Sequence, residues 1–303
     1  IDFDAEKCEF GLVDREAVIT VLMNYELRLV ANRMPRFESD HLNEMKADNS
    51  NIEETSPKGA SGQLEMIDDI SPSVTVEALT PPDPPKPLGE YEIVTDTPTF
   101  QSMIDQLHKN GEFAFDTETT GLNSMTSDLV GLSFAIKTGH AWYVPLGHTE
   151  GTQISFSDGL TLLRPLFENK SVGKIAHNAN FDLMVLSTAG IDVKALTFDT
   201  MIAAALCGYR SIGLKQLAFQ LFGQNMTEIK TLIGVGKKQI TMAEVPIEQA
   251  GPYAASDADF TWRLYEYLKQ EIPDHQADYV NKEIEIPLLP IIIEMQRNGM
   301  IID

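Results

Sequence analysis

Hydrophobic and polar positions change their rhythm along the 303-residue chain. From Asp14 to Met34, the apolar residues Val18, Val21, Leu22, Leu29 and Val30 recur at near-helical spacing. This predicts an amphipathic helix with Asp14 as its N-cap and Pro35 as its stop. Between residues 38 and 90 no such period is found. From Tyr91 onward, short apolar runs alternate with helical patterns. Strands are predicted at Tyr91–Thr95, Glu112–Asp116, Leu129–Ile136, Ala141–Leu146 and Gly173–Ala176, with a hairpin signal at Lys137-Thr138-Gly139-His140. Helices are predicted at Thr99–Lys109, Asp158–Glu168, Ala179–Ala189, Asp199–Leu206 and Leu214–Phe222, from Ile247 to about Ile272, and from Asp278 to Asn298. Gly190 and Gly299 suit helix C-termini, and Pro287 and Pro290 predict a break or kink in the last helix. A hairpin followed by alternating strands and helices predicts an α/β fold: a mixed sheet covered by helices.

Composition explains the aperiodic stretch. Residues 38–90 hold 12 acidic and 3 basic residues, seven of the chain's 16 prolines, and no aromatic residue. Such a segment cannot offset its ordering entropy by burial, so a disordered acidic linker is expected, extended at its Pro81–Pro87 end. The resulting organisation is a helical segment at 1–37, a linker at 38–90, an α/β domain at 91–276 and a further helix at 277–303. The whole chain carries 45 acidic against 23 basic residues, a net charge of −22. That excludes nucleic-acid binding by a general basic surface, but not binding through a local patch or bound cations. No apolar run approaches the roughly 18 residues of a membrane span, and no signal-peptide pattern is found. A cytoplasmic location without membrane contact is therefore expected, and the start at Ile1 suggests a fragment or processed chain. Cys8 and Cys207 offer neither a disulfide framework nor a metal-ligand spacing, and Cys207 is read as a small buried apolar residue.

Candidate chemistry lies in three places. In Phe113-Ala114-Phe115-Asp116-Thr117-Glu118 an apolar strand ends in two carboxylates on one face. Such like charges repel unless a cation lies between them, and hard divalent ions want such oxygen ligands. The bland alternative is a solvated strand end. In His177-Asn178-Ala179-Asn180-Phe181-Asp182 a strand gives way to a helix whose first turns carry Asp182, a position the helix dipole favours by itself. In Tyr253-Ala254-Ala255-Ser256-Asp257 a phenol and a carboxylate share one face of an otherwise apolar helix. Asp259, two positions on, is read as merely exposed. Together, four carboxylates and a tyrosine suit two divalent ions acting on a phosphodiester. His177 is read as a locally bonded strand-end residue. Lys230, Lys237 and Lys238 form a solvated loop with at most a DNA-backbone contact. Asp199 is read as a helix cap, and Trp142, Tyr143, Trp262 and Tyr267 as core or surface aromatics.

The order Asp-x-Glu, Asn-x-x-x-Asp, Tyr-x-x-x-Asp resembles the three motifs of the DEDD 3′–5′ exonuclease superfamily in its tyrosine subtype. Pro252 occupies the position where the histidine subtype carries its base. Residues 91–303 look like the proofreading region of bacterial family A DNA polymerases, notably at Phe113–Leu122, Leu129–Ile136, Phe198–Met201 and Glu248–Asp259. Ile284–Leu288 and Met295–Asp303 look like the start of the polymerase thumb, and Tyr25–Met34 like the tail of the 5′-nuclease region. The resemblance implies a ribonuclease-H-like fold and two divalent ions, Mg²⁺ or Mn²⁺, with Zn²⁺ an option at one site. By position, Asp116, Glu118 and Asp257 would hold the first ion, Asp116 and Asp182 the second, and Tyr253 would position the water. Leu122 matches a residue that packs against the terminal bases. Asn178 matches one that contacts the strand or orders the site. Asn180 departs from the lysine many relatives carry, which puts one phosphate contact in doubt. The implied substrate is a single-stranded DNA 3′ end, cleaved to nucleoside monophosphates by a monomer in cis to a polymerase region. The alternatives are an exoribonuclease of the same subtype and a spacer domain without activity.

Overall fold

A computed structural model describes residues 88–299. The expected helix at Asp14–Met34, nearly all of the expected linker and the last residues of the expected thumb helix lie outside them. Six strands form one mixed sheet: β1 (Glu90–Ile93), β2 (Glu112–Thr119), β3 (Leu129–Lys137), β4 (His140–Pro145), β5 (Gly173–Ala176) and β6 (Leu196–Asp199), in the order β1-β4-β3-β2-β5-β6. The β2–β3 and β3–β4 pairs are antiparallel, whereas β1–β4, β2–β5 and β5–β6 are parallel. The predicted hairpin joins β3 to β4, and Gly139 in its turn has φ +79°, a conformation glycine adopts without penalty.

Alternation along the strands gives the sheet two unlike faces. On one, Phe113 and Phe115 of β2, Phe134 of β3 and Phe167 stack with ring centroids 5.1–6.3 Å apart. The helices α1 (Thr97–Asn110), α2 (Phe156–Glu168) and α3 (Ala179–Thr188) pack on this face. The other face presents Ala114, Ala135 and Ala141 to α4 (Thr200–Leu206), α5 (Leu214–Phe222) and the 28-residue α7 (Ile247–Asp274), which follows the short α6 (Lys230–Ile233). Helix α7 answers with Ala250, Ala254, Ala255 and Ala258. Small residues on both sides let it lie close to β2 and bring its polar side chains to the strand. At Gly251 an added Cβ would lie 2.6 Å from Ile93 Cδ1, so the Ile93 side chain would have to move aside.

The structure departs from the sequence expectations in three ways. Strand β2 runs on to Thr119, so Asp116 and Glu118 lie within a central strand and not at its end. Strand β6 was not expected; it runs straight into the following helix, and its last residue, Asp199, reads in sequence only as that helix's cap. The last helix runs on through Pro287 and Pro290, its irregularity falling just before them. A π segment at Val280–Glu285 leads into α8 (Ile286–Asn298), with Pro287 in its first turn and Pro290 inside it. The wide turns fall where Pro287 would meet the carbonyl four residues back. Among the described residues no helix is long and apolar enough to cross a membrane.

Candidate active site

Strand β2 and helix α7 build the centre of the site. Asp116 and Glu118 point from β2 to the face that α7 covers, and α7 supplies Tyr253 and Asp257 one turn apart. One carboxylate oxygen from each of Asp116, Glu118 and Asp257 lies within 4.8 Å of the others. Glu118, Asp257 and Tyr253 are buried, and Asp116 is half-buried. Asp182 comes from α3 on the opposite face. Its Oδ1 accepts the Thr117 amide at 3.0 Å and the Thr117 hydroxyl at 2.5 Å. All five expected residues therefore converge, with Asp182 anchored to the strand between Asp116 and Glu118.

The price in electrostatics is visible at every carboxyl. Burial, then the charges of Asp182, Asp257 and Glu118, push Asp116 well above the ordinary carboxylate range. Burial, then Asp257, does the same to Glu118. Asp182 is pushed up to about 7 by burial, against the two Thr117 hydrogen bonds that favour its anion. Asp257 is pushed up to about 6 by burial, opposed by Lys215 and by the Tyr253 hydroxyl. Asp257 Oδ1 is buried with no hydrogen-bond partner. Buried anions with an unsatisfied oxygen are what a bound cation would relieve. The all-oxygen set fits a hard divalent ion.

One cation is built in. Lys215, in the first turn of α5, donates from Nζ to the Thr227 carbonyl at 2.5 Å and to Tyr253 Oη at 3.1 Å, and lies 4.4 Å from the Tyr253 ring centroid. Its charge opposes the upward shifts of Asp116, Glu118 and Asp257. Sequence reasoning missed it. A lysine at the start of an amphipathic helix looks solvated, and its phenol partner is 38 residues away.

The surroundings refine the remaining expectations. Asn178 is exposed and left-handed at φ +67°, and its side chain does not cap α3. Asp199 does that work. Its carboxylate accepts the amides of Asn178 and Ala179 at the start of α3 and those of Met201 and Ile202 at the start of α4. Leu122, in the loop after β2, is 95% exposed. His177 bonds locally, its Nδ1 lying 2.8 Å from Thr200 Oγ1. Lys230 and Lys238 are exposed. Trp142, Tyr143 and Trp262 are core residues, and Cys207 is buried. Asp259 is not exposed but fully buried. It accepts Tyr91 Oη at 2.8 Å, the Gly139 amide at 2.7 Å and the Arg263 guanidinium at 2.7 and 3.1 Å. It ties β1 and the β3–β4 turn to α7, through contacts a helical period cannot show.

Comparison with known proteins places this geometry. Residues 91–273 match the model of the 3′–5′ exonuclease family of A-type DNA polymerases. DNA polymerase I of Chloroflexus aurantiacus is 38% identical over 310 residues, covering 100% of this chain and 32% of that protein. DNA polymerase I of Pseudomonas aeruginosa is 34% identical over 222 residues, covering 71% of this chain and 24% of that protein. The chain thus spans about a third or less of the length of these curated relatives. Among solved structures, the POL domain of Pol1 from M. smegmatis, in complex with DNA primer-template and dNTP, has a TM-score of 0.54 at 18% identity. It covers 70% of this chain and 33% of that one. Brucella melitensis NrnC bound to pGG has a TM-score of 0.53 at 23% identity, covering 69% of this chain and 93% of that one. These two likenesses show the ribonuclease-H-like fold. Family match, relatives and fold agree: the chain belongs to the 3′–5′ exonuclease family of A-type DNA polymerases, and carries a hydrolytic nuclease domain of the DNA polymerase I type.

Proposed function

We propose that this domain is a two-metal proofreading exonuclease. It hydrolyses single-stranded DNA from the 3′ end to nucleoside monophosphates, in cis to a polymerase region of a longer chain. The observation that carries the reading is the convergence of Asp116, Glu118 and Asp257 within 4.8 Å, with Asp182 beside them on Thr117. In this reading Asp116, Glu118 and Asp257 hold one ion, and Asp116 and Asp182 hold a second. Mg²⁺ is the ion of choice, with Mn²⁺ as a substitute and Zn²⁺ an option at one position. Bound divalent ions supply Lewis acidity, lowering the pKa of an attacking water and stabilising charge on the leaving oxygen.

The chain's own groups do the rest. Burial and the neighbouring carboxylates push the Tyr253 hydroxyl above its ordinary value. At neutral pH it is therefore a neutral phenol that orients a water, not a base. Lys215 Nζ occupies one lone pair of Tyr253 Oη, which turns the phenolic hydrogen away from the ammonium and toward Asp257. Leu122 projects into solvent from the loop that ends β2, free to press against unpaired terminal bases. Asn178 exposes its amide at the start of α3, where it contacts the strand. Cations at the carboxylates offset the local part of the −22 net charge, and only a few nucleotides need to be held. The segment from 277 onward would begin the polymerase thumb, and the protein would act as a cytoplasmic monomer.

The test is a 5′-labelled single-stranded DNA oligonucleotide incubated with the chain in Mg²⁺ or Mn²⁺, with and without EDTA, beside Asp116→Ala. A metal-dependent ladder shortening from the 3′ end, absent in the variant, is expected. Equal ladders from the variant would overturn the site assignment. A matched RNA oligonucleotide cleaved faster than the DNA would overturn the substrate.

A further inference from the structure

A second group of metal-ligating side chains lies at the other end of α7. Cys207 closes α4, and Glu271 and His275 lie one turn apart on one face of the last turns of α7. One ligand atom from each, thiol sulfur, carboxylate oxygen and imidazole nitrogen, falls within 4.8 Å of the other two. Cys207 is buried, Glu271 half-buried and His275 exposed. The Glu271 carboxylate is held from outside the trio. Tyr209 Oη donates to its Oε2 at 2.7 Å and Tyr267 Oη to its Oε1 at 2.8 Å. Asp257 and Glu271 are 14 positions apart on the same helix, hence about 21 Å along its axis at a rise of about 1.5 Å per residue. The two clusters cannot share an ion.

We propose that Cys207, Glu271 and His275 form a second metal site, selective for Zn²⁺-class ions, that ties the end of α4 to the end of α7. The donor chemistry argues for the class of ion. The carboxylate cluster offers oxygen only and suits Mg²⁺ or Mn²⁺, whereas thiolate with imidazole and one carboxylate is the mixed set that Zn²⁺ and Co²⁺ prefer. Three protein ligands leave a tetrahedral ion one position for water. The two phenols supply the outer hydrogen bonds that hold a ligating carboxylate in place. The exposed imidazole gives an entry path from solvent, and the sulfur closes the buried side of the site. Binding releases the thiol proton to solvent as the sulfur–metal bond forms.

The measurement is a Co²⁺ titration of the full 303-residue chain carrying Asp116→Ala, which disables the carboxylate cluster, under reducing conditions and followed by absorption. One equivalent of Co²⁺ should raise a sulfur-to-cobalt charge-transfer band that Zn²⁺ abolishes. Cys207→Ser should remove the band, Cys8→Ser should leave it, and His275→Gln should weaken Co²⁺ binding at least tenfold. His275 is exposed, so its variant is not expected to unfold, and circular dichroism checks both. Absence of the band, its survival in Cys207→Ser, or unchanged affinity in His275→Gln would each overturn the site. None of these results bears on the nuclease reading, whose residues are different.

Discussion

Lys215 is the residue whose role was least visible in advance and whose removal is most informative. Its ammonium lies near three carboxylates and donates to the phenol that would orient the water. It therefore acts in two opposed ways, repelling a divalent cation and positioning Tyr253. Lys215→Met keeps the aliphatic stem and removes the charge. It should tighten Mg²⁺ binding about tenfold, which is ~1.4 kcal/mol, while lowering kcat about tenfold because the phenol loses its orientation. Tyr253→Phe should lower kcat by a similar factor without tightening Mg²⁺. The double variant should be no slower than the slower single, since both act through one hydroxyl. Mg²⁺ titrations of cleavage rate measure all three, and additive losses would separate the two residues. The Asp116–Glu118 pair was legible because its spacing within a strand is local. Lys215 was not, because tertiary packing supplies its partners.

At the scale of elements, helix bodies and hidden connections differ in the same way. Leu214–Phe222 was predicted to the residue, and α3 and α7 to within two or so, because apolar period and end signals lie within each segment. The role of Asp199 was half legible. It caps α4, as expected, but the same carboxylate also takes the first amides of α3, some 20 residues away. Four backbone donors thus depend on one buried side chain. Asp199→Ala should cost about 2–4 kcal/mol, more than an ordinary cap, because it strands donors at two helix ends away from water. Denaturant unfolding measures this as a lower midpoint at unchanged slope. Since α3 carries Asp182 and Asn178 flanks its N-terminus, the folded fraction of Asp199→Ala should also cleave more slowly. Asp199→Asn retains an acceptor oxygen and should lose less than half as much stability. Equal losses would mean that the charge, not the capping geometry, is what matters.

Over the whole molecule, the site carboxylates couple folding to pH and, in the proposed two-metal reading, to divalent cation. With no metal bound, Asp116 and Glu118 are raised well above the usual range, Asp182 to about 7 and Asp257 to about 6. The unfolded chain releases these protons near pH 4. Between about pH 4 and 7 the folded state holds more protons than the unfolded, so this contribution to stability is full in acid and lost as pH rises. His177, lowered to about 4 by burial, acts oppositely: its contribution is full above its unfolded value near 6.5 and is lost as pH falls toward 4. A pH profile in EDTA alone would mix the two. The difference in melting temperature between Mg²⁺ and EDTA cancels His177 and every other group remote from the metals. Because protons compete with cations for the carboxylates, and ligand that binds only the folded state stabilises it by mass action, that difference should be near zero at pH 5 and grow toward pH 8. A gain on the order of 2 kcal/mol would raise the melting temperature by about 4–8 °C in a domain of this size. Asp257→Asn removes one of the repelling charges, so it should melt higher than the parent in EDTA at pH 8 and gain little from Mg²⁺. A difference that stayed flat with pH, or a variant that lost stability in EDTA, would mean that the carboxylates are not the groups that link metal to folding.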